Sequence, residues 1–180
     1  MIARVYKDFD FLAAIHFEDQ FMINNYNINL IMDIVTDDEK EQLIAIERIV
    51  YFLQNYVESS IFIHEKHKRK IAAYEKAGLK VLTLPEDPFD QIIGLALMSK
   101  FNAIAENRII VSETIFGSKL SAQIKFHNYI EQLEEFNHNA WYNNSGLADN
   151  FNKSKKMRKD KIVKFDELED WNKLGLTWNS

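Results

Sequence analysis

Cysteine is absent from the 180 residues. Disulfide frameworks, thiolate metal sites and cysteine nucleophiles are therefore excluded. Glycine occurs only five times, and never as G-x-G-x-x-G or G-x-x-x-x-G-K-[ST], so the common phosphate-cradling loops are missing. No serine stands in G-x-S-x-G. Nor does any stretch approach the roughly 20 continuous apolar residues of a membrane span; the best, 92–104, is broken by Ser99, Lys100 and Asn102. The N-terminus lacks the charged start and apolar run of a secretory signal, so a cytoplasmic protein is expected, with no membrane association.

What is present suffices for a core: 47% of residues are apolar and 13% aromatic, well above the composition of a disordered chain. Lysine, at 17, far outnumbers arginine, at five. Together with abundant Asn and Ile, this is the bias of an AT-rich genome, as in a low-GC bacterium, a phage or a mobile element.

Apolar residues alternate at Phe9, Phe11, Ala13, Ile15 and Phe17, with Asp10, His16 and Glu18 on the other side, and again at Tyr26, Ile28, Leu30, Met32 and Ile34. Two antiparallel strands are predicted, separated by a polar stretch around Asn24-Asn25. From Thr36, a predicted N-cap, apolar spacings of three and four predict a helix to about Ser59. Ser60 to His64 reads as a short buried strand, then a basic helix closing at Gly78, then a strand from Lys80 to Leu84. Asp87-Pro88 predicts the start of a helix apolar on nearly all sides. Arg108–Ile115 and Leu120–His127 predict a hairpin turning at Gly117-Ser118, with a short helix over 128–136. The expected fold is α/β (or α+β): a mixed sheet with N-terminal antiparallel strands, then alternating strand–helix units, with helices packed on the sheet. Residues 1–136 form the predicted domain, 137–161 a polar, basic linker, and 162–180 a short aromatic-rich docking segment.

Two basic clusters divide the charge. Lys66, Lys68, Arg69 and Lys70 crowd the opening turns of a helix, where the dipole disfavours cations; a phosphate or acidic partner would reconcile the conflict. The neighbouring His64 and His67 are three apart rather than the four of a zinc-protease helix, and lie among cations, so no metal is assigned there. Around Lys155, Lys156, Arg158 and Lys159, residues 153–164 carry seven basic side chains and one acid, +6, within a chain of net charge −5, leaving −11 on the remainder. Such clusters can contact nucleic-acid phosphates.

Residues 2–6 add a further strand or lead directly into the first; with them counted, the order of three antiparallel strands, helix, strand, helix, strand, helix is similar to the ribonuclease H-like nuclease fold. That resemblance implies metal-binding carboxylates, whose parts Asp8 or Asp10, Glu47, Glu65 and Asp90 would have to play. The reading preferred on sequence is different: a small cytoplasmic interaction protein without a catalytic centre or cofactor. It would be an inhibitor, immunity protein or accessory factor that meets a protein partner through its acidic surface and the aromatic anchors Trp141, Phe165, Trp171 and Trp178.

Overall fold

The computed structural model describes residues 3–119, 121–128 and 140–146. Its first two strands, β1 (Arg4–Phe17) and β2 (Gln20–Ile34), form one long hairpin. Glu18 and Asp19 join them with φ of 46° and 64°, the pair of positive values that a type I′ turn requires and that matches strand twist. The turn is thus displaced from Asn24-Asn25, which sit inside β2 opposite Ala13 and Leu12. Phe21 to Ile23 carry the strand past them, and the Asn24 amide donates to Tyr26 Oη at 3.0 Å.

Helix α1 (Glu39–Phe52) is capped by Asp38, whose carboxylate accepts from the Lys40 amide at 2.8 Å. Thr36 is not the cap; its hydroxyl accepts from the Asp38 amide instead. A wider π turn, Leu53–Val57, prolongs the helix to the tight bend at Ser59. Then follow β3 (Ser60–His64), α2 (Lys68–Lys76), β4 (Lys80–Leu84), α3 (Asp90–Ala105), β5 (Ile109–Ser118) and β6 (Ile124–His127). Gly78, with φ of 82°, closes α2 in the left-handed conformation that glycine adopts without penalty. Strand β5 continues through Gly117-Ser118, where a turn was expected, because residues 116–118 still pair with β2. From residue 129 on, the helix expected over 128–136 lies outside the described residues. None of the described helices is long and apolar enough to cross a membrane.

The six strands form one mixed sheet in the order β4-β3-β1-β2-β5-β6. Strands β4, β3 and β1 run parallel, while β1, β2, β5 and β6 are antiparallel to their neighbours. The expected α/β architecture therefore holds. Helices α1 and α3 cover one face of the sheet, and Phe11, Tyr26, Ile28, Phe62, Leu82 and Phe116 pack beneath them. Gly94 of α3 permits close packing: a Cβ there would stand 2.4 Å from the Phe126 ring. Helix α2 packs on the opposite face over β1, β3 and β4, where Ala14, His16, Ile61, Ile63 and Val81 are buried. Among the described residues, no helix covers that face on the antiparallel side.

Residues 140–146 also belong to the body. The fully buried Lys100 of α3 donates to the Asn144 and Gly146 carbonyls at 2.9 and 2.6 Å and to Asn144 Oδ1 at 3.0 Å. Beside it, Trp141 stacks on Phe52 with 6.0 Å between centroids, and its indole donates to the Thr83 carbonyl at 2.7 Å. Trp141, expected as an exposed anchor in a linker, is only 4% exposed. An indole that can both fill a gap beside α1 and satisfy a strand carbonyl is more stable buried than in water.

Candidate functional site

Three parallel strands end together at one edge of the sheet, the place where open α/β sheets bind ligands. His16 is the next-to-last residue of β1 and lies on the face that α2 covers, 3% exposed. Lys70, in the first turn of α2, brings its ammonium to 3.0 Å from His16 Nε2. An ammonium can only donate, so Nε2 is the acceptor and the ring proton is on Nδ1. From there it is donated to Tyr74 Oη, 2.9 Å away and one helical turn further along α2.

Burial, followed by the positive fields of Lys70 and His67, holds the His16 imidazole below histidine's usual range. The ring is therefore neutral at pH 7. Lys70 is also paired with Asp19, at the tip of the β1–β2 hairpin. That hydrogen bond keeps the Asp19 carboxyl below its usual range, although its side chain is 84% exposed.

The site continues along the edge. His67 stands edge-on to His16 with 5.6 Å between ring centroids, and His64 lies 6.2 Å from His67. Lys66 binds Asp87 at 2.8 Å, and this hydrogen bond lowers the Asp87 pKa. Asp87 therefore serves as a counter-ion and does not cap α3, whose N-cap is Phe89 without a side-chain bond. Phe21 adds an aromatic wall 6.2 Å from Tyr74. Chemically, the edge offers a neutral imidazole of known tautomer, a phenol hydrogen-bonded to it, and a partly exposed ammonium.

The residues singled out from sequence separate into several places. Lys66 and Lys70 join this edge, each with a carboxylate brought from elsewhere in the chain, which relieves much of the repulsion expected at the start of α2. Lys68 and Arg69 are exposed and have no ion-pair partner among the described residues. Lys155, Lys156, Arg158, Lys159, Phe165, Trp171 and Trp178 lie outside the described residues.

The four carboxylates of the nuclease reading do not converge. Asp10 is on the uncovered face, bound to Lys119 at 2.8 Å and Asn27 at 3.0 Å. Glu47 is on α1, its pKa raised by burial. Glu65 is exposed after β3. Asp90 accepts from the Ser118 amide and the Ser121 hydroxyl at 3.2 and 2.9 Å. Among the described residues no three His, Asp or Glu side chains are placed to hold a metal ion. His16 was missed because strand alternation assigns it to the solvent side, and only α2 reverses that. The one available signal was a histidine that interrupts the apolar run from Phe11 to Phe17 at the end of the strand.

No protein family model matches the chain, and no curated protein matches it. Solved structures do match. An uncharacterized protein from Wolinella succinogenes is similar with a TM-score of 0.51 and 11% identity, over 72% of this chain and 99% of that one. Two structures of Plasmodium vivax 6-pyruvoyltetrahydropterin synthase, both catalytic-residue mutants, have TM-scores of 0.47 and 0.48 at 15% and 13% identity. Each covers 71% of this chain and 98% of its own. The sequence-based expectation of an inhibitor, immunity or accessory protein is corrected by these neighbours, whose named members have an enzyme's fold. The nuclease alternative is corrected as well, and the topology gives a reason. Two strands, not three, precede the first helix, and the third antiparallel member, β5, arrives only after α3.

Proposed function

We propose that this chain is a small enzyme that transfers a proton to or from a small polar substrate at the carboxyl edge of β1, β3 and β4. The observation that carries this reading is His16, almost fully buried and held at both nitrogens, by an ammonium at Nε2 and a phenol at Nδ1. A cation beside a buried imidazole disfavours protonation of the ring, and groups perturbed in this way gather at functional sites.

Tyr74 Oη is the catalytic group in this scheme, since Tyr74 is only partly buried whereas His16 is almost fully so. When it gives its proton to the substrate, His16 Nδ1 passes one to Oη as Lys70 passes one to Nε2, so the ring stays neutral and Lys70 is left as the amine. Each transfer breaks one N–H or O–H bond and forms another, and the net change is one proton moved from Lys70 to the substrate. In the reverse direction the relay takes a proton from the substrate and restores the Nδ1–H tautomer and the ammonium. A cytoplasmic location accompanies the reading, because small metabolites are the substrates it calls for.

The test is incubation of the purified protein with a small-metabolite extract, followed by mass spectrometry over a range of pH. Wild type is expected to convert a component that Tyr74→Phe and His16→Gln convert at least about 100-fold more slowly. The His16→Gln pH profile should also lose the limb due to the imidazole. Equal conversion by all three proteins, or none by wild type, would overturn the reading.

A further inference from the structure

We infer that the site takes a substrate bearing a carboxylate or phosphate group, which binds Lys70 in the place that the Asp19 carboxylate occupies. The inference rests on the proposed relay and names its substrate class.

Asp19 reaches Lys70 from the tip of a two-residue turn, and Lys70 is its one ion-pair partner among the described residues. The carboxylate is largely in water, where a single pair is weak and screened by salt. The ammonium is also held on its other side, by the buried His16 ring. Asp19 is thus an internal stand-in for an anion, easily exchanged, on a cation that is itself fixed. The surroundings favour the exchange. Lys68 and Arg69 leave the same turn of α2 without ion-pair partners among the described residues, and the helix start carries no side-chain cap. His67 stands beside His16 with no carboxylate hydrogen-bonded to it among the described residues. An anion that displaced Asp19 would keep the Lys70 contact and lie in the positive field of this helix start while Asp19 swung into solvent. Its substrate would then be held beside Tyr74, one turn of α2 from Lys70, where the proton is delivered.

The turn makes the test clean. Asp19→Asn removes the charge, and asparagine tolerates the positive φ of that position. Asp19→Gly removes the side chain and suits the turn equally well. Binding of inorganic phosphate and of acetate, each alone, is followed by NMR shifts of the His16 and Tyr74 side chains, with circular dichroism as a control of folding. Both variants are expected to bind at least one of the two anions about tenfold or more tighter than wild type. Lys70→Met is expected to bind neither. Tightening for phosphate alone assigns a phosphoryl group, and tightening for acetate alone a carboxylate. If neither variant binds either anion more tightly than wild type, or if Lys70→Met retains binding, the inference fails. That failure is read without turnover, so it is distinct from a failure of the relay itself.

Discussion

Among the described residues, one half of the sheet is covered on both faces and the other on one, and β1 runs through both regimes. Its first residues, Arg4 to Leu12, alternate between the core and water; from Ala13 to Phe17 nearly every side chain is buried or half-buried. Strand β3, wholly within the doubly covered half, is buried at Ser60 to Ile63 on either side. On the antiparallel side, the bare face carries a polar lattice instead. Arg4 pairs with Asp33, Asn27 bridges Asp8 and Asp10, Lys119 binds Asp10, and Lys125 binds Glu113. Parallel strands need crossover helices, and those helices bring a second cover with them. The contrast explains why the buried, perturbed histidine lies in the parallel half, at the point on β1 where double cover begins.

The comparison can be broken most forcefully in the doubly covered half. Phe62→Ala, in a fully buried side chain of β3, should destabilise by about 3–5 kcal/mol in urea unfolding. A loss below about 1 kcal/mol would show that β3 is not part of the core. Next, Gly94→Val places methyl groups where the Phe126 ring already stands. A loss of about 1–3 kcal/mol is expected, and Phe126→Ala in the same chain should recover part of it. Lys100→Met strips the Asn144 and Gly146 oxygens of their buried donor. The cost should be about 1–3 kcal/mol, with faster hydrogen exchange at the Trp141 indole.

A smaller effect tests the histidine. Because the folded-state pKa of His16 is depressed, its contribution to stability is fully present above the unfolded value of about 6.5. It is lost as pH falls from there through the folded value, since the unfolded chain takes up the proton first. His16→Gln should therefore flatten the stability profile below about pH 6.5; an unchanged slope would place the effect elsewhere. The smallest effect belongs to the bare face. Tyr6→Ala, at a side chain 63% exposed, should change stability by no more than about 0.5 kcal/mol.

Much of the fold is legible along the chain because it is written in local periods. The alternation of Tyr26, Ile28, Leu30 and Met32 marks β2, spacings of three and four mark α1, and Gly78 marks the end of α2. The turns are less so. Glu18-Asp19 carries no glycine or asparagine, whereas Asn24-Asn25 looks like a turn and is not one, since the hairpin register of 14 paired positions decides the matter. Of the candidate site, Lys66 and Lys70 were visible as cations against a helix dipole. Asp19, Asp87, His16 and Tyr74 were not, because their meeting joins positions up to 58 residues apart.

By itself, then, the amino-acid sequence determined the α/β class, the order of strands and helices, and the exclusion of cysteine chemistry and of the common phosphate loops, since composition and short-range periodicity carry all of these. Tertiary structure alone decided the order of strands in the sheet, the inclusion of Trp141 in the core, and which face of β1 lies under α2. These depend on which apolar faces find each other across long stretches of chain, and His16 is buried beside Lys70 as a result of that choice.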